Sequence, residues 1–117
     1  MVYSMEEEMQ KEIVRLQNFE RQLQAVMMQK QQFQIQLGEA KLALEELENA
    51  SGDVYKTIGS VMIKTSVEDA KKDLGEKKEL MESRMKTLGE QEEKLRGELT
   101  RLQKKLQEAM GSSDESS

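Results

Sequence analysis

The side chains in this chain that could do chemistry are its 23 Asp and Glu residues and its 18 Lys and Arg residues; His and Cys are absent. Without imidazole or thiol there is no His-based acid–base catalyst, no Cys nucleophile, no disulfide and no Cys/His metal site. Carboxylates could work as acid and base only in a pocket that raises a pKa, and most of the Glu residues here fall on the outer faces of helical stretches. No P-loop, Gly-rich dinucleotide fingerprint or nucleophile motif occurs. The chain is therefore expected not to be an enzyme and to bind neither cofactor nor metal. What remains is adhesive chemistry. Methionine is flexible and polarizable, so it accommodates many apolar partners, and three of the nine (Met5, Met9, Met110) lie near the two ends of the chain.

The elements that position these residues follow from composition and periodicity. The 117 residues suffice for one domain, but 36% are apolar and 35% charged, and the aromatics are only Phe19, Phe33, Tyr3 and Tyr55. A globular domain has about 45–50% apolar and about 25% charged residues, so a round core is excluded while a narrow two-helix seam is not. The chain has no Pro to interrupt a helix. A net charge of −5 argues against sequence-independent nucleic-acid binding. No apolar run approaches the roughly 18–20 residues of a membrane span, and Met1–Gln10 is too acidic for a signal peptide. Absent cysteine fits a cytoplasmic protein.

One heptad frame accounts for residues 4–49. Its a positions are Met9, Leu16, Leu23, Lys30, Leu37 and Leu44; its d positions are Met5, Glu12, Phe19, Val26, Phe33, Ala40 and Leu47. Only Glu12 and Lys30 are polar, which predicts a coiled coil. Ile13 and Met27, at e, are expected to widen the stripe. Ser4 with Glu7 predicts a capping box, and Asn49, Ser51 and Gly52 a stop. A second frame covers residues 67–110, with d at Leu74, Met81, Leu88, Leu95, Leu102 and Ala109 and a at Lys78, Met85, Glu92, Leu99 and Leu106. Thr65 or Ser66 marks its start and Gly111 its end, so that residues 111–117 read as a disordered acidic tail. At about 1.5 Å per residue each helix would be a rod roughly 65–70 Å long.

Between the rods, residues 54–65 read V-Y-K-T-I-G-S-V-M-I-K-T. Gly59-Ser60 in the middle of β-branched residues predicts a β-hairpin with a II′ turn. A lone two-stranded hairpin is marginal in water, and its unpaired edges and exposed apolar residues need other subunits to cover them. Val54, Tyr55, Ile58, Val61, Met62 and Ile63 are the residues expected to make those contacts. If the bend sets the helices antiparallel, layers whose residue numbers total 118 match: Leu44 on Leu74, Phe33 on Met85, Leu23 on Leu95 and Leu16 on Leu102. Lys78 then faces the small Ala40, leaving its stem room to snorkel, and Lys30 and Glu92 fall in neighbouring layers as a candidate register pair. The fold class expected is mainly α, a long antiparallel two-helix coiled-coil hairpin with one short β-hairpin at the bend, whose uncovered edges call for other subunits.

The Gln29-Lys30-Gln31-Gln32 stretch, the A-L-E-E-L run at Ala43–Leu47, and the hairpin sequences Val54–Gly59 and Val61–Thr65 at this spacing resemble archaeal-type prefoldin beta subunits over nearly the whole chain, residues 1–117. The hairpin is the specific part; the coils alone would fit many proteins. Gly75, Gly89 and Gly97, inside the second helix, depart from the pattern and are expected to be solvent-facing, either as points of flexure or as neutral changes. The resemblance implies an ATP-independent chaperone subunit in a hexamer of two alpha and four beta subunits, the single hairpin placing this chain in the beta class. Hairpins would assemble into a β-barrel platform, and the coil tips would hold unfolded polypeptides and pass them to a group II chaperonin. The tip residues it points to are Met5, Met9, Ile13, Leu99, Leu102, Leu106 and Met110. The acidic residues nearby (Glu6, Glu7, Glu8, Glu12, Glu108, Asp114, Glu115) read as a solvated face, with docking to a basic chaperonin patch as the alternative. A structural or tethering coiled-coil subunit without client binding is the competing function.

Overall fold

The computed structural model describes residues 4–115, with side chains over residues 4–111. Its elements run α1 (Met5–Glu48), β1 (Val54–Ile58), β2 (Val61–Thr65) and α2 (Val67–Glu115). Both helices start where a hydroxyl can cap them. The Glu7 amide donates to the Ser4 hydroxyl at 3.2 Å, and the Asp69 amide donates to the Ser66 hydroxyl at 3.0 Å, so Ser66 rather than Thr65 is the second cap. Acidic residues fill both first turns, Glu6–Glu8 and Glu68–Asp69, where they favour the positive end of the helix dipole. Helix α1 stops as expected: Asn49 and Ala50 donate back to the carbonyls of Glu46 and Leu47, and Gly52 takes a φ of 92° that residues with a Cβ rarely adopt.

The other end of α2 corrects the sequence reading. The helix does not stop at Gly111 but continues to Glu115. Gly111 has no left-handed φ, so it is an interior glycine and not a C-cap. A helix tolerates one for about 1 kcal/mol when no proline follows. The rest of the expected tail, residues 116–117, lies outside the described residues.

The chain folds as two compact units. One contains residues up to Gln29 together with those from Leu88 onward; the other is Lys30–Thr87. Within the first, the early part of α1 lies antiparallel to the late part of α2. Its core is the seam itself: Leu23, Val26, Leu88 and Leu99 are buried and Leu102 is fully so, at 0% exposure. Glu12 meets Lys105 across this seam and Met27 meets Arg96. Within the second unit, Ala40 and Met81 are the buried residues, the Arg84 guanidinium sits 5.8 Å from the Phe33 ring centroid, and Lys71 pairs with Glu48 at 3.6 Å. Glu12 with Lys105 and Phe33 with Arg84 each total 117, and Glu48 with Lys71 totals 119, which bracket the layer total of 118. Every described a or d position except Met5 is buried or half-buried.

Positions beside the seam are covered less completely. Ile13 and Met27 stay 41% and 43% exposed, because two helices cover a and d but only graze e. Gly75 and Gly89 are half-buried, not solvent-facing; Gly97 is exposed. Lys78 behaves as expected of a snorkelling lysine, with 38% of its side chain exposed and its ammonium 4.0 Å from Glu82. A Cβ built at Gly75, Gly89 or Gly97 would meet nothing within 4 Å, so alanine enters without a clash. Replacing all three with alanine is expected to raise stability by about 1 kcal/mol per site, measured as a higher midpoint in thermal unfolding followed by circular dichroism.

Candidate functional site

Two surfaces stand out. The first is the end of the seam where the outer turns of α1 and α2 lie together. Of the residues expected there, Met5 is 73% and Met110 58% exposed, Ile13 is exposed on the flank, and Met9 and Leu106 are half-buried. Leu99 and Leu102 are instead sealed inside the seam, so a ligand would reach them only if the helices parted. Burial thus fades along one apolar stripe, from Leu102 through Leu106 and Met9 to Met5 and Met110.

A carboxylate sits where that change occurs. Glu12, at a seam position and only 17% exposed, accepts a hydrogen bond from the Lys105 ammonium at 3.0 Å, and its other oxygen lies 3.6 Å from the Arg15 guanidinium. That second oxygen is buried and has no hydrogen-bond partner. The Lys105 hydrogen bond, aided by the charges of Lys105, Arg15 and Arg101, outweighs desolvation and holds the Glu12 carboxyl below its ordinary value. Polarity at a d position is the signal of this network in the sequence; its partners, on another helix, are not visible there.

The second surface is the hairpin. Val54 to Ile58 pair antiparallel with Thr65 to Val61, Ile58 opposite Val61, which leaves a two-residue loop. Gly59 has a φ of 61° and Ser60 is not left-handed, as a II′ turn requires. Residues opposite one another share a face, so Val54, Ile58, Val61 and Ile63 lie on one side with Lys56 and Thr65, and Tyr55, Thr57, Met62 and Lys64 on the other. All six expected contact residues except Val54 are exposed. The sheet has only these two strands, so both outer edges carry unpaired backbone groups. Val54 instead turns toward a groove of about 840 Å³ whose apolar lining is Ala43, Leu47, Ala50, Ala70 and Leu74. Ion pairs Lys56–Asp73 and Lys64–Asp53 tether the hairpin at its base.

Comparison with known proteins agrees with this geometry. A family model described as "Prefoldin subunit" matches residues 10–113. The chain belongs to the prefoldin family. It is 40% identical over 97 residues to the prefoldin subunit beta of Pyrococcus furiosus, covering 81% of this chain and 83% of that one. It is 36% identical over 106 residues to that of Methanosarcina acetivorans, covering 89% and 91%. The crystal structure of the prefoldin beta subunit from Thermococcus strain KS-1 superposes with a TM-score of 0.79 at 39% identity, over 87% of this chain and 91% of that one. Prefoldins are chaperones, and a prefoldin subunit assembles with other prefoldin subunits. Among the described residues, no helix is long and apolar enough to cross a membrane.

Some exposed apolar residues escaped the sequence reading. Val14, Met28, Ile35 and Leu42 are all exposed and all occupy the f position of α1, outside the a/d frame that directed attention to the seam. The tip and the seam should respond differently to truncation. Leu102→Ala is expected to cost about 2–5 kcal/mol, as large-to-small core changes do, whereas Met5→Ala should stay within about 0.5 kcal/mol. Denaturant unfolding of the two variants checks this.

Proposed function

We propose that this prefoldin subunit is part of an ATP-independent holdase that captures unfolded polypeptides at its coiled-coil tips and delivers them to a group II chaperonin. The observation that carries the reading is the opening of the seam's end, with Met5 exposed beside half-buried Met9, Leu106 and Ala109, and Met110 exposed on the flank. Exposed methionines at the end of a seam form a small apolar patch without fixed shape. Such a surface binds many non-native chains weakly. Met5, Met9, Ile13, Leu106 and Met110 make the first contacts, and Leu99 and Leu102 join only if the seam parts. The protein has no catalytic role in this reading and acts in the cytoplasm.

The hairpin serves assembly. Its apolar face and free edges, with Tyr55, Ile58, Val61, Met62 and Ile63 exposed, suit strand pairing and packing against hairpins of other subunits. We place the chain as the beta subunit of a hexamer of two alpha and four beta chains, in which hairpins build a closed β-barrel. Closure removes the edges that a single subunit leaves open.

Two experiments separate these roles. In the full assembly, without ATP, replacing Met5, Met9 and Met110 with serine should abolish most of the suppression of aggregation of a denatured test protein, while the mass of the assembly is unchanged. Undiminished suppression would favour a tethering subunit. Ile63→Glu should yield monomers or small oligomers with full helicity by circular dichroism; a surviving hexamer in native mass spectrometry would remove the hairpin from the interface.

A further inference from the structure

Apart from Glu12, the residues around the tip end of the seam are uniformly apolar: Met9, Leu16, Phe19, Leu99, Leu102 and Leu106. A stack of such layers holds two helices together but discriminates poorly between registers one heptad apart. Glu12 breaks the stack. Its paired oxygen is held by Lys105 at 3.0 Å, while the other oxygen lacks a hydrogen bond and lies 3.6 Å from Arg15. A slip of one heptad would bring Glu98 or Ser112 opposite Glu12 in place of Lys105, exchanging an ion pair for like charge or for none. Leu106, opposite Glu12 in this layer, is half-buried; on one side Leu102 is fully buried, and on the other Ala109 is half-buried and Met110 exposed.

We infer that Glu12 and Lys105 are positioning residues for the tip: their pairing fixes the register of the last layers and confines opening of the seam to the turns beyond, where Met5, Met9, Ala109 and Met110 lie. The inference rests on the reading of the tip as the client-holding surface. A carboxylate at a seam position resists full closure, since an apolar pair at that layer would pack more tightly. The ion pair, in turn, keeps the opening from running on toward Leu102. The charges around Glu12 are Arg15 on its own helix, with Glu8 one turn away, and Lys105 and Arg101 on α2, with exposed Glu108 one turn past Lys105. The pair is intact at neutral pH. Because the folded pKa of Glu12 is lowered by Lys105, the pair's stabilisation is present above the ordinary carboxylate value and is lost as pH falls through the lowered one.

The test uses the full chain in its assembled form and reads hydrogen-exchange protection factors for amides 6–11 and 106–110, alongside aggregation suppression. Glu12→Leu should raise tip protection about tenfold or more, as replacing a seam ion pair with apolar packing does, and should weaken client holding. Lys105→Met should lower protection and extend exchange toward Leu102. The charge-swapped double variant, Glu12→Lys with Lys105→Glu, should recover part of that loss, short of the wild-type level because Arg15 and Arg101 remain beside position 12, which a merely structural cost of either change would not do. Protection of the wild-type tip should fall in an acid step that Glu12→Leu lacks. Wild-type protection in both single variants, or a double variant no better than the worse single one, overturns the inference. Protection that shifts as stated while client holding stays constant leaves the pair in its positioning role and removes the tip from client binding.

Discussion

In each unit of this protein the governing constraint is that a helix with one apolar stripe has nothing to bury it against except the stripe of its antiparallel neighbour. Heptad leucines, methionines and valines supply that stripe on α1 and α2, and the remaining faces are charged or amide-bearing. Burial is accordingly confined to a line: Leu23, Val26, Leu88, Leu99 and Leu102 in one unit, Ala40 and Met81 in the other. A line of contact cannot enclose a pocket that excludes water, which is why the functional surfaces are places where the line ends or is left uncovered.

The two candidate surfaces are consequences of that geometry. At the tip the last layers of the stripe are only partly covered, and methionine is the residue that tolerates partial exposure while remaining able to adapt to an apolar ligand. At the bend, two five-residue strands form a sheet too small to cover its own faces or edges. One surface suits transient contact with irregular chains; the other suits permanent contact with matching strands. The prefoldin family uses a chain of this kind as one subunit of a larger chaperone, so neither surface has to satisfy itself within the monomer.

Much of this was legible in the residues. The a/d frame found nearly every buried position, Ser4 announced the first helix start, Thr65 or Ser66 the second, and Gly59-Ser60 the turn, because each depends on local spacing and one side chain's chemistry. Two expectations failed because residue type alone does not decide what a position does. Gly111 looked like a stop, yet glycine ends a helix only when the backbone turns left-handed there. Gly75 and Gly89 looked solvent-facing at e, yet both are half-buried. The Glu12 network was visible only as an exception at a d position. Lys105 lies 93 residues away, and its role as partner depends on the register of a helix pair that periodicity alone leaves degenerate.

The antiparallel seam is the claim that everything else needs, and a distance between the two ends of the stripe tests it most directly. Spin labels attached through cysteines at positions 9 and 109, measured by pulsed electron paramagnetic resonance, should lie below about 20 Å apart, since packed helices sit roughly 8–10 Å axis to axis and the labels add their own reach. A separation on the order of 60 Å, the length of one such helix, would mean that α1 and α2 do not share a seam.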